Sequence, residues 1–376
     1  MKRIFLTGLF ASLIAVACFA QKPYKVVFYN FENLFDTIHD PGVLDEEFTP
    51  EGPKKWNSAK YTRKIGNLER VLFDIAAEDK DYPVVIGVSE IENRSVMEDV
   101  IAQPKLAPGN YRIVHYDSPD ARGVDVAFYY RPDVFKLEGS AAIPFKMPEL
   151  PNFRTRDFVT MWGTIDSEPF FFLVSHWPSR LGGKEASAPK RLAAAKQVKH
   201  IVDSVTAANP ATKVVVMGDL NDDATDDSIV EGLNAKGKIK EVGKGDMFNP
   251  FIGLLKAGYG TLAYRDEWNL FDNIIVSENL ATGSTGSLKI QPAGNSKFYG
   301  GIFRRPYMIQ KPVQGLSAAY VRGQRFPGRF QRPLPRIYLH RQINTLKYLY
   351  ETQSSTYSDA RRRDLHVLCA GRRHPR

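Results

Sequence analysis

Short apolar runs alternate with amphipathic segments along most of this chain. Nine runs rich in Val, Ile, Phe and Tyr have the length and composition of strands, and several are apolar throughout, as strands buried on both faces are. They lie at residues 25–30, 84–89, 111–116, 124–130, 158–164, 169–175, 213–217, 271–277 and 286–290. Helical spacing of apolar residues marks Ala59–Ala77, Ser95–Ile101 and Pro189–Thr206. The alternation predicts an α/β fold, a four-layer sandwich of two sheets with helices outside.

One of these runs ends in a pattern that suggests chemistry. Val214–Met217 is apolar, Gly218 ends the run, and Asp219 and Asn221 follow two residues apart. At strand spacing both side chains point to the same side. A carboxylate can take a proton from water while a carboxamide holds that water, and this arrangement suits attack on a phosphate ester. An Asp-rich turn after a core strand remains the alternative.

Three further runs also end in polar side chains. Asn30 and Glu32 end the first run, Glu90 ends the second, and His176 ends the run at 169–175. Polar groups at the same end of several strands are how α/β sheets build sites. Mg²⁺ takes one or two carboxylates together with phosphate oxygens and water, and no Cys/His zinc spacing occurs in the sequence. Glu90 and Glu32 are therefore the predicted ligands of Mg²⁺ or Mn²⁺.

These motifs, in this order, resemble the endonuclease/exonuclease/phosphatase superfamily of metal-dependent phosphoesterases. The resemblance covers about residues 24–311. Its strand-end Asn, its Glu, its Asn-x-His, its Gly-Asp-Phe-Asn and its late strand Asp have counterparts at Asn30, Glu90, His176, Asp219 with Asn221, and Asp272. Three longer segments look like the secreted bacterial branch, namely Tyr29–Asp36, Arg122–Ala127 and His176–Arg180.

The resemblance implies a role for each matching residue. Asp219 would be the general base, Asn221 and Asn30 would hold the attacking water, and His176 would donate to a phosphate oxygen or assist the leaving group. Asp272 would orient a partner histidine or bind a second metal. Around the site, three residues are candidates for substrate contact, with a solvated loop or core packing as the alternative: Arg180, Tyr264 and Arg265. Arg122 and Asp125 are candidates for a structural ion pair.

The chain departs from the family pattern after Lys311. The family ends in Ser-Asp-His-x-Pro on a final core strand, and no Ser-Asp-His occurs here. Residues 330–340 can be encoded by codons that, read one base later, give Phe-Ser-Asp-His-Phe-Pro-Val-Tyr-Ile-Tyr. Our hypothesis is a one-base frameshift near Lys311, with a genuine basic extension as the alternative.

Residues 312–376 are predicted to be a disordered tail without strand or helix. They contain 13 lysines and arginines against three aspartates and glutamates. The whole chain has 51 and 42, so the positive excess belongs to the tail and says nothing about nucleic-acid binding by the folded body. Without the final motif and its strand, we expect this chain to be inactive and poorly folded.

The first twenty residues have the features of a secretory signal peptide. A charged start and an apolar run precede Ala20, and the run is short for a membrane span. We expect cleavage after Ala20 and export to the periplasm or beyond, with a lipoprotein anchored through Cys18 as the alternative. The other cysteine, Cys369, lies in the tail, so the domain at 21–311 has no disulfide.

The motifs together predict a metal-dependent phosphodiester hydrolase, and a secreted endonuclease is the leading hypothesis. The alternatives are a phospholipid or sugar-phosphate phosphoesterase and a non-catalytic protein that binds nucleic acid. Retention of Glu90, Asp219, Asn221 and His176 favours an enzyme. We expect nucleic acid or another phosphodiester as the substrate, a monomer, and no stable protein partner.

Overall fold

The computed structural model describes residues 23–264, 267–292, 296–308 and 334–341. The strands are β1 (Tyr24–Leu34), β2 (Val85–Ile91), β3 (Arg112–His115), β4 (Asp125–Tyr130), β5 (Lys136–Ile143), β6 (Phe158–Ile165), β7 (Glu168–His176), β8 (Lys213–Asp219), β9 (Ala235–Lys236), β10 (Met247–Phe248), β11 (Leu262–Tyr264), β12 (Glu267–Asn269), β13 (Asp272–Ser277), β14 (Leu288–Gln291), β15 (Gly300–Phe303) and β16 (Leu334–Arg341). The α-helices are α1 (Ser58–Asp79), α2 (Arg94–Ile101), α3 (Lys184–Ala208), α4 (Phe251–Lys256) and α5 (Glu278–Thr282).

Two mixed sheets contain most of the strands. The first has the order β14-β16-β1-β2-β4-β3, with β15 also paired to β16, and the second has the order β5-β6-β7-β8-β13-β10-β9. β1 runs parallel to β2, and β7 runs parallel to β8. The carboxyl ends of each parallel pair therefore meet at one edge of their sheet.

The sheets pack face to face and helices cover their outer faces. Phe128 of the first sheet and Phe172 of the second meet edge to face, with ring centroids 6.4 Å apart. Leu68 and Ile75 of α1 pack on the first sheet, and α3 packs on the second through residues such as Val198. The predicted four-layer α/β sandwich is therefore confirmed. Because both faces of each sheet are covered, its central strands are apolar runs rather than alternating ones.

Two of the predicted helices begin earlier than the sequence suggested. α1 begins at Ser58 because the side chain of Asn57 accepts a hydrogen bond from the Lys60 N–H at 3.1 Å. α3 begins at Lys184, five residues before the predicted start at Pro189. A proline is common at the start of a helix, but here it lies inside α3.

The described part of the tail contradicts the prediction that residues 312–376 contain no strand. β16 lies inside the first sheet, antiparallel to β1, β14 and β15. Ile337 and Leu339 are fully buried, and Tyr338 is 5% exposed. Since a central strand is covered on both faces, this short apolar run fits between β1 and β14 without alternation.

The predicted signal segment at residues 1–20 lies outside the described residues. So do 309–333 and 342–376, which include the position of the proposed frameshift. Within the described part of the chain, no helix is both long and apolar enough to cross a membrane.

Candidate active site

Polar side chains from both sheets meet at one end of the sandwich. Asn30 of β1 donates through Nδ2 to Asp219 Oδ2 of β8 at 3.0 Å, a bond that joins the two sheets. His176, the last residue of β7, is the register partner of Asp219 on one side, and Asp272, the first residue of β13, is its partner on the other. The fold therefore gathers four of the residues singled out in the sequence.

A second hydrogen bond brings Glu90 into this group. Asn30 Nδ2 also donates to Glu90 Oε1 at 3.1 Å, so one amide serves two carboxylates. Glu90, His176 and Asp219 each offer a ligand atom, and these atoms lie within 4.8 Å of one another. Two carboxylates and an imidazole at this spacing could hold a divalent cation. The donor set thus fits a divalent-metal site.

The backbone takes uncommon conformations at three of these positions. Glu32, Glu90 and Asn221 have φ values of 55°, 57° and 51°. Positive φ is rare outside glycine, and such residues cluster at functional sites. At Glu90 the register between β2 and β4 shifts, so a bulge re-aims the side chains at the end of β2.

Both oxygens of Asp219 are held in place. Oδ2 accepts from Asn30, and Oδ1 accepts from the backbone N–H of Asn221 at 3.1 Å. Asn221 Nδ2 donates to the carbonyl of Trp177 at 2.9 Å, which fixes its carboxamide and leaves Oδ1 as an acceptor. Asn30 thus contacts two carboxylates, whereas the side chain of Asn221 bonds to the backbone carbonyl of Trp177.

His176 is buried at the centre of the group. The pKa of His176 is lowered to about 4, first by burial and then by the nearby Arg156, while the carboxylates of Asp219 and Glu90 act in the opposite direction. The imidazole is therefore neutral near pH 7. No described residue bonds to its Nδ1. A neutral imidazole can bind a metal through one nitrogen or donate from the other.

Glu32 lies outside the three-residue metal group, unlike the prediction. Its N–H donates to Asn30 Oδ1 at 2.8 Å, and its carbonyl accepts from Lys64 Nζ at 3.3 Å. The prediction assumed that strand alternation carries on from Asn30 to Glu32. Left-handed backbone at Glu32 and Asn33 interrupts that alternation.

Arg180 occupies a different role from the predicted phosphate contact. Its guanidinium meets the carboxylates of Asp222, Asp223 and Asp226 at 3.2, 3.3 and 2.8 Å, and its Nε donates to the Asn221 carbonyl at 2.8 Å. Three carboxylates compensate its charge. We therefore assign Arg180 to holding the loop that carries Asn221.

The two remaining candidates stay predictions. Tyr264 ends β11, but its side chain and the whole of Arg265 lie outside the described residues. The β11–β12 hairpin does border the site, because Thr261 Oγ1 accepts from the backbone N–H of Asp272 at 3.4 Å.

Sequence reasoning missed a buried arginine behind the site. Arg156 is 5% exposed and donates to the carbonyls of His176 and Trp177 at 2.7 to 3.1 Å. Its third partner is Asp120 at 2.8 Å. Arg156 stands in a segment without strand or helix periodicity, so the chain offered no local signal for it.

The predicted pair of Arg122 and Asp125 does not form. Arg122 Nε donates to Asp120 Oδ1 at 3.2 Å, whereas Asp125 Oδ2 bonds to His115 Nε2 at 2.8 Å. His115 and Asp125, with the exposed Asp117, form a second group of possible metal ligands in the described part of the chain.

A sequence model of the Endonuclease/Exonuclease/phosphatase family matches residues 25–326. This chain belongs to that family. A comparison with curated proteins gives no match.

Solved structures of low sequence identity share this fold. A humanized D. rerio TDP2 with 14 mutations is 12% identical, with 85% of this chain and 99% of that chain covered and a TM-score of 0.51. D. rerio TDP2 complexed with a single-strand DNA product is also 12% identical, with 85% and 99% covered and a TM-score of 0.50. A Bacteroides thetaiotaomicron mannosyl-6-phosphatase is 15% identical, with 84% and 99% covered and a TM-score of 0.49. At such identities the likeness to the two TDP2 structures shows the fold alone.

Proposed function

We propose that this chain is a divalent-metal-dependent phosphodiesterase that acts on nucleic acid. The observation that carries the proposal is the group of Glu90, Asp219 and His176, with Asn30 bonded to both carboxylates. Family membership supports phosphoester chemistry. The DNA product in D. rerio TDP2, whose fold is similar, supports nucleic acid as the substrate class.

The proposed mechanism gives each residue a separate task. Glu90 would hold Mg²⁺ or Mn²⁺, which when bound neutralises the negative charge that grows on the phosphoryl oxygens. Asp219 takes a proton from the attacking water, in an orientation fixed by Asn30 and the Asn221 N–H. Asn221 Oδ1 accepts a hydrogen bond from the other O–H of that water. Neutral His176 donates a hydrogen bond to a non-bridging oxygen of the phosphate.

The test is hydrolysis of bis(4-nitrophenyl) phosphate and of a fluorescent single-stranded oligonucleotide by the chain with one base restored near Lys311, with Mg²⁺, with Mn²⁺ or with excess chelator. We expect cleavage only with metal, and a higher metal requirement for Glu90→Gln. Glu98→Gln, an exposed carboxylate on α2, is the matched control and should behave as wild type. Full activity in excess chelator would refute the metal assignment. Cleavage of sugar phosphates or phospholipid vesicles in place of DNA would refute the substrate class.

We also propose that a one-base frameshift near Lys311 has removed the family's last motif. In the shifted reading the Asp-His pair takes positions 332 and 333, immediately before β16. β16 runs antiparallel to β1, so it begins at the end of the sheet where Asn30 lies. We expect no metal-dependent cleavage by this chain, and cleavage after one base is restored, because the motif adds a phosphate-binding histidine. Equal rates before and after repair would contradict the frameshift.

We further propose that the chain is exported and that residues 1–20 are removed. N-terminal sequencing of protein recovered outside the cytoplasm should give Gln21 as the first residue. A diacylated Cys18 at the start would instead establish a lipoprotein.

A further inference from the structure

Arg122 presents unbonded hydrogen-bond donors beside the site. Its backbone N–H and its Nε both donate to Asp120 Oδ1, at 2.9 and 3.2 Å. Its side chain is 49% exposed, and its two terminal amino groups, Nη1 and Nη2, have no hydrogen-bond partner among the described residues. The guanidinium is therefore fixed at one edge and open at the other.

Asp120 connects Arg122 to the framework of the site. The carboxylate is 7% exposed, and its other oxygen accepts from Arg156 Nη1 at 2.8 Å. Arg156 in turn holds the carbonyls of His176 and Trp177. The loop that carries Arg122 is thereby tied to the end of β7.

Arg122, Asp120 and Arg156 together carry a net positive charge, and this charge lies with Arg122. Two guanidinium groups face one carboxylate, which leaves one positive charge in excess. Arg156 is buried and its bonded groups are all internal, so the excess lies with the exposed Arg122. Arg180, by contrast, is surrounded by three carboxylates. Of these three arginines, only Arg122 can offer both charge and open donors to an anion.

The loop that carries Arg122 is held at a second point. The Leu44 N–H donates to the Ala121 carbonyl at 2.7 Å, so the loop packs against the segment that follows β1. Together with the bonds that run from Arg122 through Asp120 and Arg156 to the His176 carbonyl, this contact places the loop beside the end of β7.

We propose that Arg122 binds the phosphate group of the substrate through Nη1 and Nη2, and that Asp120 and Arg156 are its positioning residues. Arginine presents parallel N–H groups that match two phosphate oxygens, which lysine cannot do. The inference rests on the proposed function for the identity of the substrate. The anion site itself can be tested without turnover.

The experiment is calorimetric titration of inorganic phosphate into the full chain in the presence of Mg²⁺. Loss of a charge-assisted pair of hydrogen bonds should weaken the affinity of Arg122→Gln for phosphate by about tenfold or more. Arg122→Lys keeps the charge but loses the fork, so its affinity should be intermediate. Arg94→Gln removes an equally exposed arginine on α2 and should bind phosphate as wild type does.

Two results would overturn the inference: no phosphate binding by the wild-type chain, or equal affinity in Arg122→Gln. Thermal unfolding of each variant shows that the fold is retained, which is expected because Arg122 is half-exposed. The KM for bis(4-nitrophenyl) phosphate, measured on the chain with one base restored near Lys311, separates this inference from the proposed function. Phosphate binding that depends on Arg122, without any cleavage by the restored chain, leaves the inference standing and refutes the enzyme. Cleavage by Arg122→Gln with an unchanged KM supports the enzyme and refutes the role of Arg122.

Discussion

At the scale of single residues, the amide of Asn30 determines how two carboxylates share one site. Glu90 and Asp219 would repel each other without a common donor or a cation between them. Asn30 Nδ2 supplies the donor, and its Oδ1 is fixed by the Glu32 N–H. The amide therefore orients both the predicted metal ligand Glu90 and the predicted base Asp219.

Asn30→Ala should weaken metal binding. Residues that orient metal ligands typically contribute about 10–100-fold to metal affinity, and we expect a loss in that range. Electron paramagnetic resonance of free Mn²⁺ measures the affinity without any need for turnover. Asn152→Ala, in an exposed loop, is the control. An Asn30→Ala variant with wild-type Mn²⁺ affinity would show that the amide does not position the ligands.

Glu92 should make stability depend on pH. It is 6% exposed, and burial raises its pKa from 4.5 to about 8, although the Asp36 N–H donates to it and acts in the opposite direction. The folded state holds the Glu92 proton more tightly than the unfolded state does. The stability that protonated Glu92 contributes is therefore complete below about pH 4.5 and is lost as the pH rises through about 8. In Glu92→Gln the loss should be absent.

Thermal unfolding from about pH 5 to about pH 9 checks this prediction. Above about pH 8 the free energy of unfolding of Glu92→Gln should be higher than that of wild type, by an amount on the order of a few kcal/mol. The reason is that each unit of pKa difference corresponds to about 1.4 kcal/mol. Glu98→Gln, on an exposed helix face, should follow the wild-type curve. Parallel curves for wild type and Glu92→Gln would mean that Glu92 is ionised in the fold.

At the scale of elements, Arg156 and Asp120 tie two loops to the end of β7. Arg156 stands just before β6, and Asp120 lies between β3 and β4, so the pair joins both sheets. Its other bonds go to the carbonyls at and just after the end of β7. The position of His176 therefore depends on an ion pair that is formed away from the reacting atoms.

Asp120→Asn should destabilise the fold strongly. It leaves the guanidinium of Arg156 buried without a negative charge, and breaking a buried pair costs about 3–5 kcal/mol. Urea unfolding measures the difference. Asp203→Asn, which removes an exposed i,i+4 pair with Lys199, should cost less than about 1 kcal/mol. Equal losses in the two variants would show that burial of the Asp120 pair adds nothing.

At the scale of the whole molecule, β16 completes the first sheet. It supplies backbone partners to β1, β14 and β15, three elements that are distant from it in sequence. Its apolar side chains enter the core between the two sheets, where Ile337 and Leu339 lie among residues such as Val26. A stretch of the basic tail is thus part of the central framework.

Ile337→Ala tests that arrangement. A buried isoleucine replaced by alanine costs about 2–5 kcal/mol, and we expect this loss in urea unfolding. Ile38→Ala, at a position that is 73% exposed, should cost no more than about 0.5 kcal/mol. If both substitutions have the same small effect, residues 334–341 are not a core strand.

The sequence by itself determined most of the longer strands, the layers and the residues at the strand ends. Buried strands leave long apolar runs, and polar residues directly after them are visible one strand at a time, which is why Asn30, Glu90, His176 and Asp219 could be named together. The family resemblance rests on the same short segments, because each is local in the chain. The fold class followed from their alternation with helices.

Only the tertiary structure decided which side chains meet across the chain. Asp120 and Arg156 are 36 residues apart, and Arg180 meets carboxylates more than 40 residues away, so no local pattern could assign their partners. Glu32 left the predicted metal group because its backbone φ is positive, a property that spacing does not reveal. β16 was not predicted for a related reason. Its few apolar residues form a strand because β1 and β14 offer backbone partners on either side, and both strands are distant in sequence. Contacts distant in sequence and unusual backbone angles are products of packing.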